Sequence, residues 1–271
     1  MLLNNQIILI TGGAQGIGLE CVKAYIANGA RVAILDNNEQ SLEKLLEMVG
    51  PAHLGICCDV ANEKEVENAI QNTLQHFGKL DAIHNNAGIA HPSKALHETS
   101  TQEWEQLMNV NVKAIFLTTK YGIMALKESR GCILNTSSLV GEIGQEKHAG
   151  YTATKGAVNA LTKSMALDYS PDGIRVNAVA PAGVWTPMLH QWSSIQSNGD
   201  SINSYLDDIH ALGYCPEGDV IADACVFLLS QKARFITGCV LPVSGGAELG
   251  YRRSGGINRG DMPGRALQEN V

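Results

Sequence analysis

The chain has 271 residues, of which 45% are hydrophobic, and a net charge of −7, with a sequence pI near 5.6. That length buries one large core or two small ones, and the acidic balance argues against nucleic acid or an anionic membrane as the main partner. No run approaches the ~20 apolar residues that span a bilayer, and residues 1–6 carry no basic start of a secretory signal, so a cytoplasmic location is expected.

In chain order, short apolar runs at 6–10, 31–35, 53–57, 80–85, 131–135, 175–180 and 240–243 alternate with helical patterns at 17–28, 39–49, 63–77, 102–128, 152–169 and 217–229. This alternation is the signature of parallel strands joined by crossover helices. It predicts an α/β fold: one doubly wound, seven-stranded parallel sheet with helices on both faces. Gly29 and Gly50 read as helix ends, and Pro171 stops the helix before it. Residues 182–216 are polar and interrupted, and the tail from Gly250 onward is rich in Gly and Arg. Neither a linker nor a repeat divides the rest.

Directly after the first strand stands Thr-Gly-Gly-Ala-Gln-Gly-Ile-Gly at 11–18. Gly12, Gly16 and Gly18 permit a tight turn and close backbone approach to a pyrophosphate. The helix that opens around Gln15, Ile17 and Gly18 then offers amide donors and a positive dipole end. Between a strand and a helix, this pattern points to dinucleotide binding, although the spacing differs from the older G-x-G-x-x-G fingerprint. Asp36 ends the second strand, where an acid hydrogen-bonds a ribose 2′-hydroxyl and repels a 2′-phosphate. Residues 14, 15, 37 and 38 include no Arg or Lys, so NAD is expected rather than NADP. Asp59 and Val60, after the third strand, are placed to meet the adenine. The seven cysteines (21, 57, 58, 132, 215, 225 and 239) lack a Cys-x-x-Cys and read as reduced thiols, mostly buried. The eight histidines form no ligand-spaced pair on a helix, so no metal site is expected.

Tyr151 and Lys155 stand four residues apart, thirteen residues after Ser138. Residues at i and i+4 share a helix face, so the ammonium can stand beside the phenol. Lowering a phenol by ~3 pKa units takes roughly 4 kcal/mol, much of which a close cation can supply in a desolvated cleft. Such a phenol exchanges a proton with an alcohol or carbonyl oxygen.

With the glycine loop, Asn85-Asn86-Ala87-Gly88, Asn111, Ser138, Tyr151 and Lys155 on one chain, the sequence resembles the short-chain dehydrogenases/reductases. The resemblance implies a Rossmann-type domain over 1–250, a tail at 251–271 and a homotetramer. It implies Tyr151 as general acid/base, Lys155 lowering its pKa and binding the nicotinamide ribose, and Ser138 holding the substrate oxygen. Asn111 would anchor a proton-relaying water chain. Asn86, Ala87 and Gly88 would line the cofactor, and Val184 and Thr186 would contact its carboxamide. Ala182 departs from the pattern, since the family usually has Gly after this Pro.

Three segments (137–145, 183–187 and 245–251) further resemble the type-14 17β-hydroxysteroid dehydrogenases, also described as L-fucose dehydrogenases. This implies oxidation of a secondary or anomeric hydroxyl in a small alcohol or sugar. Glu142, Gln145 and His148, lying between Ser138 and Tyr151, and His91 opposite them, are expected to line the substrate pocket. Trp185 and Trp192 would stack on a sugar or anchor a lid, and residues 193–204 read as a segment that orders on ligand binding. Tyr251 and the stretch to Arg265 would reach a neighbouring active site. A polar pocket suits a sugar or polyol better than a steroid, because each buried donor or acceptor must be matched by the ligand. A carbonyl reductase using NADPH would conflict with Asp36, and a non-catalytic dinucleotide sensor with the intact Asn–Ser–Tyr–Lys set.

Overall fold

Seven apolar runs form seven parallel strands: β1 (Ile7–Thr11), β2 (Arg31–Asp36), β3 (Leu54–Cys57), β4 (Ala82–Asn85), β5 (Cys132–Thr136), β6 (Arg175–Pro181) and β7 (Val240–Val243). Their order across the sheet is β3-β2-β1-β4-β5-β6-β7. The chain thus winds outward from β1 to β3, then returns to the other side of β1 as β4. A crevice opens where the winding reverses, at the carboxyl ends of β1 and β4. The computed structural model describes residues 1–194 and 199–250; the predicted tail at 251–271 lies outside the described residues.

Every residue of β1 and β4 is buried, as expected for strands covered on both faces. On one face α1 (Gly16–Ala27), α2 (Glu39–Val49) and α9 (Asp219–Leu229) close a core around Val22, Leu45, Ile10 and Ile221. On the other, α3 (Glu63–Phe77), α5 (Ala114–Ser129) and α6 (Ala149–Tyr169) pack Ile70, Leu117 and Val158 against Leu9, Ile83 and Ile133. Among the described residues no helix is long and apolar enough to cross a membrane.

Two regions differ from the sequence reading. The single helix expected over 102–128 is broken into α4 (Thr101–Met108) and α5 by a π-helical turn, Asn109–Lys113. A π-turn adds a residue to the helical repeat, and here it carries the buried Asn111, which bonds to Ile89 and Thr154. Within the irregular stretch 182–216 lie α7 (Pro187–Ser194) and α8 (Gly199–Asp208). Thr186 Oγ1 accepts from Leu189 N at 3.2 Å and Pro187 opens α7, an ordinary helix start that the polar composition concealed.

A buried polar ladder joins the sheet to the helices that carry the site. Thr118 Oγ1 donates to Asn85 Oδ1 (2.6 Å), Asn85 Nδ2 to Asn135 Oδ1 (2.9 Å), and Asn135 Nδ2 to Thr162 Oγ1 (2.9 Å). The ladder links α5, β4, β5 and α6, so it sets the depth at which α6 meets the sheet. Asn135→Ala removes the central rung and leaves the Asn85 amide without a partner, a loss of about 2 kcal/mol or more. Urea denaturation is expected to show a lower midpoint with an unchanged slope.

Candidate active site

A cleft of about 1100 Å³ occupies the crevice at the carboxyl ends of the strands. At its base Gly12 takes φ +62°, and a Cβ there would stand 2.9 Å from Ala87 Cα. At Gly18 a Cβ would come 2.0 Å from Gly12 O. Any side chain at either position would separate the loop from β4 or from the first turn of α1. Thr11 Oγ1 accepts from both Asn86 N and Ala87 N at 3.0 Å, while Asn86 Nδ2 donates to Thr11 O and Gly12 O. These bonds stitch the ends of β1 and β4 into one cradle. No side chain caps the start of α1 at Gln15, so its first amides remain for an anionic ligand. Gln15 turns its amide to Ser41 Oγ (2.7 Å).

Asp36 is buried at the end of β2. Its Oδ2 accepts from Ala14 N (2.9 Å) and its Oδ1 from Asn38 N (3.0 Å). A carboxylate offers about four acceptor positions, so both oxygens retain capacity for a diol. Asp59 Oδ1 accepts from Ala61 N at 2.9 Å. Asp59 and Val60 line the cleft beside Asp36, and Gly16, Ile17, Gly88, Val184 and Thr186 join them in its wall, as does Ala182. The residues fit a dinucleotide: glycines where a Cβ would clash, an uncapped helix start, and a carboxylate at the edge of β2.

Ser138, Tyr151 and Lys155 converge on the other end of the same cleft, with Asn111 buried behind its wall. Ser137 Oγ turns away to Asn159 Oδ1 and Lys155 O, whereas Ser138 lines the cleft with Tyr151, its Oγ donating to Pro181 O at 3.5 Å and accepting from Val140 N at 3.4 Å. Lys155 is buried, and its Nζ donates to Thr136 O at 2.8 Å while lying 5.6 Å from the centre of the Tyr151 ring. Asn111 Oδ1 accepts from Ile89 N (2.8 Å), and its Nδ2 donates to Ile89 O (2.9 Å) and Thr154 Oγ1 (3.0 Å). Asn111 therefore holds the chain after β4 against α6. It shares Gly88 with Lys155: a Cβ there would lie 3.4 Å from Asn111 Oδ1 and 3.5 Å from Lys155 Nζ.

The electrostatics differ from the expectation that Lys155 pulls the phenol down. Burial pushes Tyr151 above its ordinary value, opposed in part by its hydrogen bond with Ser138. Burial pushes Lys155 down to about 8. Both shifts have one cause: a desolvated site favours the uncharged form of each group. The Nζ points at the Thr136 carbonyl, so its charge is committed to the end of β5.

Of the residues expected at the substrate end, His91, Gln145 and His148 line the cleft. His148 is buried, and its Nδ1 lies 2.8 Å from Glu146 O. A carbonyl only accepts, so Nδ1 carries the proton and Nε2 is the acceptor of the neutral ring. Glu142 and Trp185 fall outside the described wall. Glu142 is an exposed residue closing the 3₁₀ turn Leu139–Gly141. Trp185 N donates to Pro216 O and its ring stacks on His190 at 4.8 Å, which pins the segment that enters α7. Trp192 lines the cleft, with Leu189, Leu206 and Ile209 forming an apolar wall. The sequence reading missed Thr11, Thr136 and Thr154. Only Thr11, at a strand end before the glycine loop, had a local signal.

A family model described as enoyl-(acyl carrier protein) reductase matches residues 12–248. The chain is 39% identical over 254 residues to an L-fucose dehydrogenase of Bos taurus, covering 93% of this chain and 92% of the relative. It is 39% identical over 246 residues to a 2,5-dichloro-2,5-cyclohexadiene-1,4-diol dehydrogenase of Sphingobium indicum, covering 90% and 97%. Among solved structures, a 3-ketoacyl-(acyl-carrier-protein) reductase from Brucella melitensis, complexed with NADH, superposes with a TM-score of 0.83 at 32% identity, covering 90% of this chain and 99% of that one. Together with the seven-stranded sheet and its cleft, these matches show that the chain belongs to the short-chain dehydrogenase/reductase family of oxidoreductases.

Proposed function

We propose that the protein is an NAD-dependent dehydrogenase that oxidises a secondary or anomeric hydroxyl of a sugar or polyol, with an L-fucose-like sugar favoured. The observation that carries this reading is the convergence of Ser138, Tyr151 and buried Lys155 at one end of a cleft whose other end presents Asp36. NAD, when bound, supplies the hydride acceptor. Gly12, Gly16, Gly18, Asp36, Asp59, Val60, Asn86, Ala87, Gly88, Val184 and Thr186 would hold it. Ser138 Oγ orients the substrate oxygen, and the Tyr151 phenolate takes its proton. Lys155, anchored on Thr136 O, fixes the turn of α6 that carries the phenol. His148 Nε2 and Gln145 offer hydrogen bonds to ring hydroxyls, which agrees with a sugar and with the sugar and diol named for the relatives. The apolar wall of Leu189, Leu206 and Ile209 favours hydroxysteroids as the second substrate class. A homotetramer is the proposed assembly, supported by exposed Phe116, Met124 and Leu167 on α5 and α6.

Two variants test the reading. Tyr151→Phe removes the proton acceptor and is expected to lower kcat by about 10²- to 10⁴-fold while NADH binding, followed by fluorescence, is retained. Because burial raises the Tyr151 phenol, its basic form grows as pH rises. The wild-type kcat/KM for oxidation should therefore climb with pH through neutrality, by up to about tenfold per unit, and this slope should vanish in the variant. Full activity in Tyr151→Phe would remove the assignment.

Asp36→Ala deletes the carboxylate that opposes a 2′-phosphate. The ratio of kcat/KM with NADP to that with NAD should rise about tenfold or more, the effect of roughly 1.4 kcal/mol of lost repulsion. Measuring both cofactors on one variant cancels any general loosening of the loop. An unchanged ratio would show that Asp36 does not select the cofactor.

A further inference from the structure

Beneath the dinucleotide cradle, on the far side of the polar contacts described above, three soft donors meet in the core. Cys21 on α1, His84 on β4 and Cys225 on α9 are fully buried, and their ligand atoms lie within 4.8 Å of one another. Tyr25, one turn after Cys21 and also fully buried, brings its hydroxyl to 2.9 Å from His84 Nδ1.

The hydrogen bonds fix which nitrogen of His84 carries the ring proton. Asn86 Nδ2 donates to two carbonyls, Thr11 O and Gly12 O, so its Oδ1 faces Thr136. Thr136 Oγ1 must then give its proton to Asn86 Oδ1 (3.3 Å) and accept from His84 Nε2, 2.9 Å away. Nε2 therefore carries the ring proton, and the Nδ1 lone pair points into the cluster. A metal-binding histidine has this arrangement: one nitrogen held by an outer partner, the other presented to the ion.

We propose that Cys21 Sγ, Cys225 Sγ and His84 Nδ1 form a buried structural site for Zn²⁺, the ion displacing the Tyr25 hydroxyl from Nδ1. Two thiolates and an imidazole are a soft donor set suited to zinc rather than to magnesium or calcium. Binding releases the two thiol protons to solvent. The two thiolates and the ion then sum to zero charge, so the core acquires no net charge. Zinc ligands at about 2.0–2.3 Å place neighbouring donors roughly 3.5–3.8 Å apart. Donor atoms within 4.8 Å of one another therefore need to close by up to about 1.3 Å. A disulfide is a poorer reading, since it requires an oxidant to reach a fully buried pair. The ligands come from three elements that lie far apart in the sequence, so ligand spacing along one helix could not reveal them.

The test is elemental analysis of untagged full-length protein produced with zinc sulfate in the medium and dialysed without chelator. About one zinc per chain is expected for wild type. The same content is expected for Cys57→Ser, which removes an exposed thiol able to hold zinc adventitiously. Below about one-tenth is expected for Cys21→Ser/Cys225→Ser. X-ray absorption on the wild-type zinc protein, which needs no variant to fold, should show two sulfur neighbours at about 2.3 Å with nitrogen or oxygen at about 2.0 Å. Substoichiometric zinc in wild type overturns the site. So does zinc without sulfur scattering, or zinc lost with Cys57→Ser and kept in Cys21→Ser/Cys225→Ser.

Discussion

The site depends on how Thr136 ends β5. Its carbonyl accepts from Lys155 Nζ, and its hydroxyl stands between Asn86 and His84. One residue thereby ties the helix that bears Tyr151 to the loop after β4, and through Asn86 to the glycine turn after β1. The two halves of the cleft are parts of one hydrogen-bonded lattice, which fixes the distance between the cradle for a dinucleotide and the phenol. Buried polar lattices of this kind are costly when incomplete, and the contacts around Thr136, Asn86 and Asn111 satisfy both donor and acceptor ends.

Burial sets the chemistry as much as position does. In water a lysine four residues from a tyrosine would act mainly as a neighbouring charge. Here desolvation moves the two groups in opposite directions, raising Tyr151 and lowering Lys155 to about 8. Values that nearly coincide in water are moved apart, so burial favours the neutral pair over the ionic pair. Among the described residues, Ser138 is the neighbour that opposes burial at the phenol.

Much of this was legible in the residues. Seven apolar runs of strand length, separated by helical patterns, lead to the observed sheet because strands covered on both faces need uninterrupted apolar character. The glycine loop and the Tyr–Lys spacing are equally local signals. What lay hidden depends on contacts between distant segments. Asn111 interrupts a helix with a π-turn to reach Ile89, which a periodicity that fits one long helix cannot show. The starts of α7 and α8 sit in polar sequence where the apolar stripe is weak. Glu142 lies between Ser138 and Tyr151 in sequence yet is exposed, and Trp185 pins the chain to Pro216 and His190. Cys21, His84 and Cys225 read separately as core residues, and only the packing of α1 and α9 over β4 brings them together.

The central claim is that this cleft oxidises a small polar alcohol with NAD. Its most direct test is the initial rate of NADH or NADPH formation by the wild-type protein over L-fucose, other aldoses, polyols, hydroxysteroids and simple secondary alcohols. The account predicts NADH formation with sugars or polyols, L-fucose among the best, at rates well above those with NADP. Turnover confined to NADP, or no reduction of NAD across the whole panel, would contradict it.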